Sequence, residues 1–512
     1  MKKIHGAGAV RESLPDLLYD ESRFECGTPE TVCFPETVED LCQIITEAHS
    51  QRQPVTFIGA QSGTTGGAVP IEGCCAIAFS AMKRIHAVQK EPGLQPVLFC
   101  DPGVTLAEIE RFLDAPGEWH DPVKGAGQLE AGRWSYMPDP TEMTAQLGGT
   151  VATNASGARS FRYGPTRDHI ALLEVLLSNG TGATLERLIP GAQWDRTMTT
   201  DDGTVITVPE LPYRSLSIKN AAGYYNTPEM SAADLFIGSE GTLGAIARIG
   251  IFLQRRQEIV AGLSFFPSTE DAFDFADFLR VIPEVAAIEF FDDGSLTLID
   301  RYRDRLSDPL PPFTESARAA IYWEHIETAE NAFEDAMDMW EKRLIACGSS
   351  FEATWSGFDE NERVRLRHFR HALPEMINSI IAHNKKSCPA IRKVGTDSAL
   401  PASIFRQAFL ESISMLRESF IPFAVFGHLG SYHLHVNLLP ATARELDRSL
   451  ELYGKLMALA VDGGGTVSAE HGIGKIKKQY LARMYGPGGI AGMQRVKAAL
   501  DPEGLFNPGN LF

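Results

Sequence analysis

Cysteine is scarce and scattered. Eight residues in a chain of 512 form no C-x-x-C pair and no ferredoxin-type run, so neither a disulfide scaffold nor an internal iron–sulfur cluster has a framework. Positive charge is short as well: 47 lysines and arginines against 66 aspartates and glutamates leave a formal net charge of -19, which repels phosphate backbones and argues against a nucleic-acid partner. Long apolar runs are missing, none approaching the roughly 20 residues of a membrane span. The N-terminus begins Met1-Lys2-Lys3 but meets Arg11, Glu12, Asp16, Asp20 and Glu21 where an export signal needs an apolar core. The expectation is a cytoplasmic protein with reduced thiols that reaches a membrane only through a partner. Two phosphate-binding signatures are also absent, the G-K-[ST] of a Walker loop and a G-x-G-x-x-G following a strand, which leaves the P-loop and Rossmann readings without support.

What is present is enough chain for two or three domains, with globular proportions of 44% apolar and 22% charged residues. Thr37 with Asp40 three residues on opens a helix whose Leu41, Ile44, Ile45 and Ala48 recur at helical spacing. The β-branched run Val55 to Ile58 then leads into the glycine-rich segment Gly59-Ala60-Gln61-Ser62-Gly63-Thr64-Thr65-Gly66-Gly67-Ala68, whose backbone N–H groups suit a pyrophosphate. Strands are expected over Ala76 to Phe79, Val97 to Cys100 and Leu172 to Leu177, and a helix over Leu106 to Leu113, so the first half reads as mixed α/β or α+β. Beyond about residue 255 the pattern becomes helical, over Thr269 to Leu279, Thr328 to Ala346, Glu360 to Ala382 and Ile404 to Glu418.

A second segment, Pro138 to Gly157, is dominated by small residues, with Gly148, Gly149, Thr153, Asn154 and Ser156 suited to backbone pressed against a flat ligand. A third, Asp234 to Ile246, again sets glycines between short apolar runs. In order and spacing the three resemble the FAD-binding domain of the vanillyl-alcohol oxidase and p-cresol methylhydroxylase family. The resemblance implies an α+β fold: a two-subdomain FAD-binding domain of the PCMH type over 30–255, after a lead-in of 1–29. An α+β substrate domain with an antiparallel sheet would follow over 256–462, and a C-terminal segment, 463–512, would return to the FAD domain. It further implies that Ile58, Gly59, Ala60, Gln61, Ser62, Gly63 and Thr64 hold the pyrophosphate. Pro138, Asp139, Gly148, Gly149, Thr153, Asn154, Ser156, Gly157 and Tyr163 would line the flavin, with Glu240, Gly241, Ile246 and Asn507 also at the cofactor. Some members attach FAD through a histidine in the first loop. Here no histidine falls between His49 and His86, so non-covalent FAD is expected.

Two histidine clusters remain: Gly427-His428-Leu429-Gly430-Ser431-Tyr432-His433-Leu434-His435-Val436-Asn437, and Ser468-Ala469-Glu470-His471-Gly472. On an unbroken strand His428 and His435 face opposite ways and converge only if the chain turns between them, which Gly430 and Ser431 permit. His433 and His435 would share a face without any turn. The region resembles the C-terminal half of FAD-linked D-2-hydroxy acid dehydrogenases, with their run G-H-x-G-D-G-N-x-H-x-N followed by E-H-G-x-G. That likeness implies His428, His435 and Glu470 as ligands of a divalent metal such as zinc, His471 as the base, and Arg370 as a clamp on the substrate carboxylate. Lys393, Thr396, His433 and Asn437 would face substrate. Ser431-Tyr432-His433 departs from the usual Asp-Gly-Asn, so His433 could bind substrate, support a ligand, or be one.

The expected reaction is oxidation of a small D-2-hydroxy acid to its 2-oxo acid, hydride going to the flavin. Electrons would leave for a separate electron-transfer protein, iron–sulfur partner or quinone, and a homodimer is compatible with the sequence. Non-redox ether synthesis of the alkyl-dihydroxyacetone-phosphate synthase type and a non-catalytic electron-transfer subunit are the competing readings.

Overall fold

The computed structural model describes residues 1–138, 142–187, 193–303, 313–328 and 333–512. Asp139, expected at the flavin, and the start of the helix expected from Thr328 lie outside or at the edge of these residues. By compactness the chain forms two units: one comprises Met1–Ser156, Gly164–Arg256 and Glu470–Phe512, the other Gly157–Tyr163 and Gln257–Ala469.

The first unit is built on two sheets. A four-stranded sheet runs Lys2–His5, Thr31–Phe34, Cys75–Ala78, Val55–Ile58, parallel except at the N-terminal strand. The expected helix is Val38–Ser50, with Thr37 accepting from Asp40 N, and its Leu41, Ile44, Ile45 and Ala48 bury against this sheet. A five-stranded antiparallel sheet runs Ile85–Gln89, Val97–Cys100, Ala245–Phe252, Ile170–Leu176, Gly182–Glu186. The C-terminal tail belongs to this unit. Val55 N donates to Leu505 O at 2.8 Å and Asn507 N to Val55 O at 2.8 Å, extending the edge of the first sheet by one more segment.

The second unit is one eight-stranded antiparallel sheet between two layers of helices. Its order is Thr354–Gly357, Glu258–Phe266, Ala319–Glu327, Val285–Asp292, Phe423–Gly427, His433–Leu438, Val394–Gly395, with Ser398–Ala399 pairing further along His433–Leu438. Alternation sorts the side chains. Ala261, Leu263, Phe265, Phe291 and Tyr322 enter one core with the helix Glu360–Ser387, while Val260, Phe266, Phe290, Ile321 and Trp323 enter another with the helices Thr269–Arg280 and Phe333–Ala346. Fully burying each large side chain contributes about 1.5–3 kcal/mol. Gly262 is required by this packing, since a Cβ there would lie 2.2 Å from Trp323. Because both faces are covered, Val285–Asp292 is buried at every position and shows no period-2 signal. That is why residue patterning in this half revealed helices and missed strands. No described helix is long and apolar enough to cross a membrane.

One buried acid sits where that sheet meets a helix. Asp292 caps the helix Asp293–Arg301, its Oδ1 accepting from Ser295 N at 2.8 Å, Ser295 Oγ at 2.7 Å and Val425 N at 2.9 Å. Burial raises its pKa from the ordinary 3.8 to about 6. A carboxyl whose pKa is raised by folding contributes stability that is fully present below its unfolded pKa and is lost as pH rises through the folded one. Asp292→Asn keeps the Oδ1 acceptor without the titration. We expect the unfolding free energy of wild type, taken relative to Asp292→Asn, to fall by on the order of 2 kcal/mol between pH 4 and pH 6 in denaturant titrations. A difference that stays flat across that interval contradicts the assignment.

Candidate active site

Within the first unit, the strand Val55–Ile58 ends in the loop Gly59 to Thr64, whose shape is set by the N-terminal lead-in. Gln61, at φ 57°, donates from Nε2 to Leu17 O at 3.1 Å and Tyr19 O at 2.6 Å. Glu21 N donates to Gly63 O at 3.0 Å, and buried Asp20 accepts from Gly66 N at 2.7 Å. Residues 17–21 therefore hold the loop, a role their sequence gives no sign of. Facing it is the short helix Leu147–Thr153. A Cβ on Gly59 would stand 3.5 Å from Gln146 Oε1 and 4.0 Å from Gly149 Cα, while one on Gly149 would meet nothing within 4 Å. Gln146 Oε1 is buried without a hydrogen-bond partner. A glycine-lined gap leaves room for the pyrophosphate expected there, and the orphaned Gln146 acceptor suits an N–H of the ring.

Other expected cofactor residues are occupied with holding the backbone. Gly148 packs on Pro102, which a Cβ would approach to 2.6 Å. Thr153 Oγ1 donates to Gly149 O at 3.0 Å, and Asn154, left-handed at φ 51°, accepts from Arg167 N at 2.9 Å. Pro138 and Ile246 are buried. Gly157 and Tyr163 fall in the second unit, where Gly157 N donates to Ser160 Oγ at 2.9 Å and Tyr163 lines a cavity of about 250 Å³ with Arg162, Gln257 and Glu284.

Glu240 is engaged more tightly still. Its buried carboxylate accepts from Ile473 N at 2.6 Å and Gly474 N at 2.7 Å, and burial raises its pKa. Gly472, at φ 77°, is needed because a Cβ would come 2.8 Å from Glu240 Oε1. Asn507 spends both ends of its amide: Oδ1 accepts from Phe57 N at 2.8 Å and Nδ2 donates to Glu240 O at 2.6 Å. Gly241 gives it room, as a Cβ there would lie 2.6 Å from Asn507 Nδ2. These residues position the turn that carries Glu470 and His471. Glu470 Oε2 accepts from Lys219 Nζ at 2.8 Å and Ser156 Oγ at 3.2 Å, and His471 Nε2 lies 3.7 Å from Oε1. Lys219, 6% exposed, was invisible to motif reading because nothing around it in sequence repeats or clusters.

In the second unit the histidine run folds as a hairpin. The strand Phe423–Gly427 ends at His428, the turn Leu429–Ser431 follows, and the chain returns as His433–Leu438 through Tyr432 at φ 52°. The turn that lets His428 and His435 converge is thus present. Arg280 staples it, donating to Leu429 O at 3.0 Å and Gly430 O at 3.3 Å while its guanidinium stacks 4.1 Å from the Tyr432 ring. His428, His433 and His435 have ring centroids 4.5 to 5.7 Å apart, and each offers a nitrogen within 4.8 Å of the others. His428 Nδ1 lies 2.7 Å from Glu289 Oε1, His435 Nδ1 lies 3.0 Å from Thr396 O, and His433 Nε2 lies 3.1 Å from Asp397 Oδ1. An oxygen acceptor on Nδ1 of His428 and of His435 selects the tautomer that turns Nε2 to a metal, and the Asp397 carboxylate stands 3.1 Å from Nε2 of His433, so the donor set fits a divalent cation.

The remaining expected residues belong to the same unit. Thr396 is buried and supports His435, its Oγ1 also accepting from Val436 N at 2.9 Å. Asn437 is buried with Nδ2 lacking a partner, which leaves a donor for a ligand. Arg370, on the helix Glu360–Ser387, is 7% exposed, with its guanidinium carbon 5.9 Å from the Tyr322 ring. Lys393 is half-buried and reaches Asn378 Oδ1 at 3.4 Å. Glu289, Asp397, Glu324 and Arg159 were missed. Glu324, 1% exposed, accepts from Tyr322 Oη at 2.6 Å and from Arg159 Nε at 2.8 Å. Glu289 and Glu324 did carry a signal, each a carboxylate set inside a β-branched and aromatic run, where burial demands a partner.

Residues 255–511 match the C-terminal domain of the FAD linked oxidases, and residues 29–186 match an FAD binding domain. A probable mitochondrial D-lactate dehydrogenase of Danio rerio is 28% identical over 496 residues, spanning 96% of this chain and 86% of that protein. A D-2-hydroxyglutarate dehydrogenase of Stutzerimonas stutzeri is 27% identical over 508 residues, spanning 96% and 93%. A solved alkyldihydroxyacetonephosphate synthase shares the fold with a TM-score of 0.61 at 14% identity, over 94% of this chain and 76% of its own.

Asn507→Asp preserves shape but sets a carboxylate against the Glu240 carbonyl. We expect it to lower the unfolding free energy by about 1–3 kcal/mol or more, the cost of an unmet buried acceptor, read as an earlier denaturation midpoint. An unchanged midpoint would remove Asn507 from this role.

Proposed function

The chain belongs to the FAD-linked oxidase family, and on that premise we propose that it oxidises a small D-2-hydroxy acid of the D-lactate kind to the 2-oxo acid, using non-covalent FAD and a divalent metal. The observation that carries the reading is the convergence of His428, His433 and His435, with an oxygen within 3.1 Å of one nitrogen of each ring. A metal-ligand set of this quality serves a substrate that itself offers oxygens, as a 2-hydroxy acid does through its hydroxyl and carboxylate. The two relatives are named for D-lactate and D-2-hydroxyglutarate, both acids of this class.

FAD would be held by the loop Ile58 to Thr64 and by Gly149 of the facing helix, and the metal by His428, His435 and Glu470. When bound, the flavin supplies the two-electron acceptor and the metal a Lewis acid toward the substrate oxygens. The chain's own residues do the rest. The Arg370 guanidinium pairs with the substrate carboxylate, and the Asn437 amide donates a hydrogen bond. His471 takes the hydroxyl proton as the hydride leaves the α-carbon, and Glu470, clamped by Lys219 and Ser156, stands beside that imidazole. With no cysteine framework for an iron–sulfur cluster in the chain, the electrons pass to a separate acceptor.

Anaerobic mixing of the metal-replete flavoprotein with D- and L-2-hydroxy acids tests the reaction. Bleaching of the oxidised flavin by a D-acid, and not by its L-isomer, is the expected result, with loss on chelation and recovery on metal return. A flavin unmoved by every acid would sink the proposal and favour non-redox chemistry. His471→Ala should lower kcat by about 100- to 10,000-fold, whereas Arg370→Ala should act mainly by raising KM. A wild-type kcat in His471→Ala, or a wild-type KM in Arg370→Ala, removes that residue from its role.

A further inference from the structure

We infer that His433 is a third imidazole ligand of the metal site, and that it biases the site toward zinc-like ions. The inference rests on the metal reading proposed above and extends it at the position where this chain departs from the G-H-x-G-D-G-N-x-H-x-N run. A histidine there would be unremarkable if it were merely packed. Its surroundings differ from packing. His433 is fully buried, its ring centroid lies 4.5 Å from that of His435 and 5.3 Å from that of His428, and it belongs to the same group of converging nitrogens. Its Nε2 lies 3.1 Å from Oδ1 of Asp397, itself fully buried. Asp397 is fixed in turn, with Oδ2 accepting from Ser468 Oγ at 2.6 Å and its carbonyl from Ala469 N at 2.7 Å.

All three rings have an oxygen beside one nitrogen, hydrogen-bonded at His428 and His435 and at ion-pair distance at His433. Glu289 stands behind His428, the Thr396 carbonyl behind His435, and Asp397 behind His433. A carboxylate or carbonyl on the remote nitrogen is the outer support that metal-ligating histidines carry, and it leaves Nδ1 of His433 as the nitrogen for the metal. Local structure supplies the room. Tyr432 takes a left-handed conformation that starts the return strand at His433, and Gly427 spares His435 a contact that a Cβ would make at 3.0 Å. Three imidazoles are the protein ligand set of one type of catalytic zinc site, which keeps a position for substrate. Imidazole donors favour zinc, cobalt, nickel and copper, whereas an amide or carboxylate oxygen in the same place suits manganese and magnesium better.

The test uses the full flavoprotein, stripped by chelation and titrated with Zn(II) or Mn(II), beside His433→Asn, His433→Gln and His428→Ala. X-ray absorption of zinc-loaded wild type should show three imidazoles in the metal shell, and two in whichever His433 variant folds. Zinc affinity should fall at least about tenfold in that variant, while manganese affinity falls less, so that the preference for zinc narrows. Two imidazoles in wild type, or a His433 variant that keeps wild-type zinc affinity and selectivity, overturns the inference. If His428→Ala weakens zinc binding in that case, the metal reading itself survives. If wild type binds neither ion, both fall together. Counting imidazoles in wild type decides the matter even where a variant does not fold.

Discussion

A carboxylate shut away from water must be met by donors or cations, and the functional side chains of this protein are placed by that requirement. In the first unit Glu240 takes the amides of Ile473 and Gly474, and so fixes the turn on which Glu470 and His471 sit. Glu470 is then met by Lys219 and Ser156. In the second unit Glu289 and Asp397 are met by His428 and His433, and Glu324 by Arg159 and Tyr322. Removing any one of these acids would strand the partner it orients.

The scaffolds make such burial sustainable. A sheet covered by helices on both faces excludes water from its centre, and the central strands of the second unit carry Glu289 and Glu324 where the dielectric is lowest. The hairpin at His428 to His435 uses the same sheet as its base, so its rings are aimed by backbone pairing and do not depend on a mobile loop. In the first unit the corresponding rigidity comes from termini. Residues 17–21 hold the glycine loop, and the tail around Asn507 joins the edge strand to Glu240.

Much of this is legible in the sequence alone. The glycine-rich and small-residue segments and the two histidine clusters led to the family that the chain belongs to, and the helix Val38–Ser50 was legible from Thr37, Asp40 and its apolar stripe. The strands of the second unit were not, because burial on both faces erases alternation. Glu240, Gly241 and Asn507 illustrate a subtler limit. Their place in the motifs marked them for the cofactor, yet their polar atoms are spent on one another and on the turn at Gly472.

The sequence by itself determined the chemistry on offer: which residues can ligate, accept protons or bend sharply is a property of residue type and local order. It also determined that His428 and His435 could meet, since Gly430 and Ser431 permit a turn between them. Only the tertiary structure decided that they do meet, that His433 joins them with Asp397 behind it, and that Lys219 reaches Glu470 from 251 residues away. Such pairings are set by which buried polar groups are left facing each other once the apolar cores have closed, and no local stretch of chain contains that information.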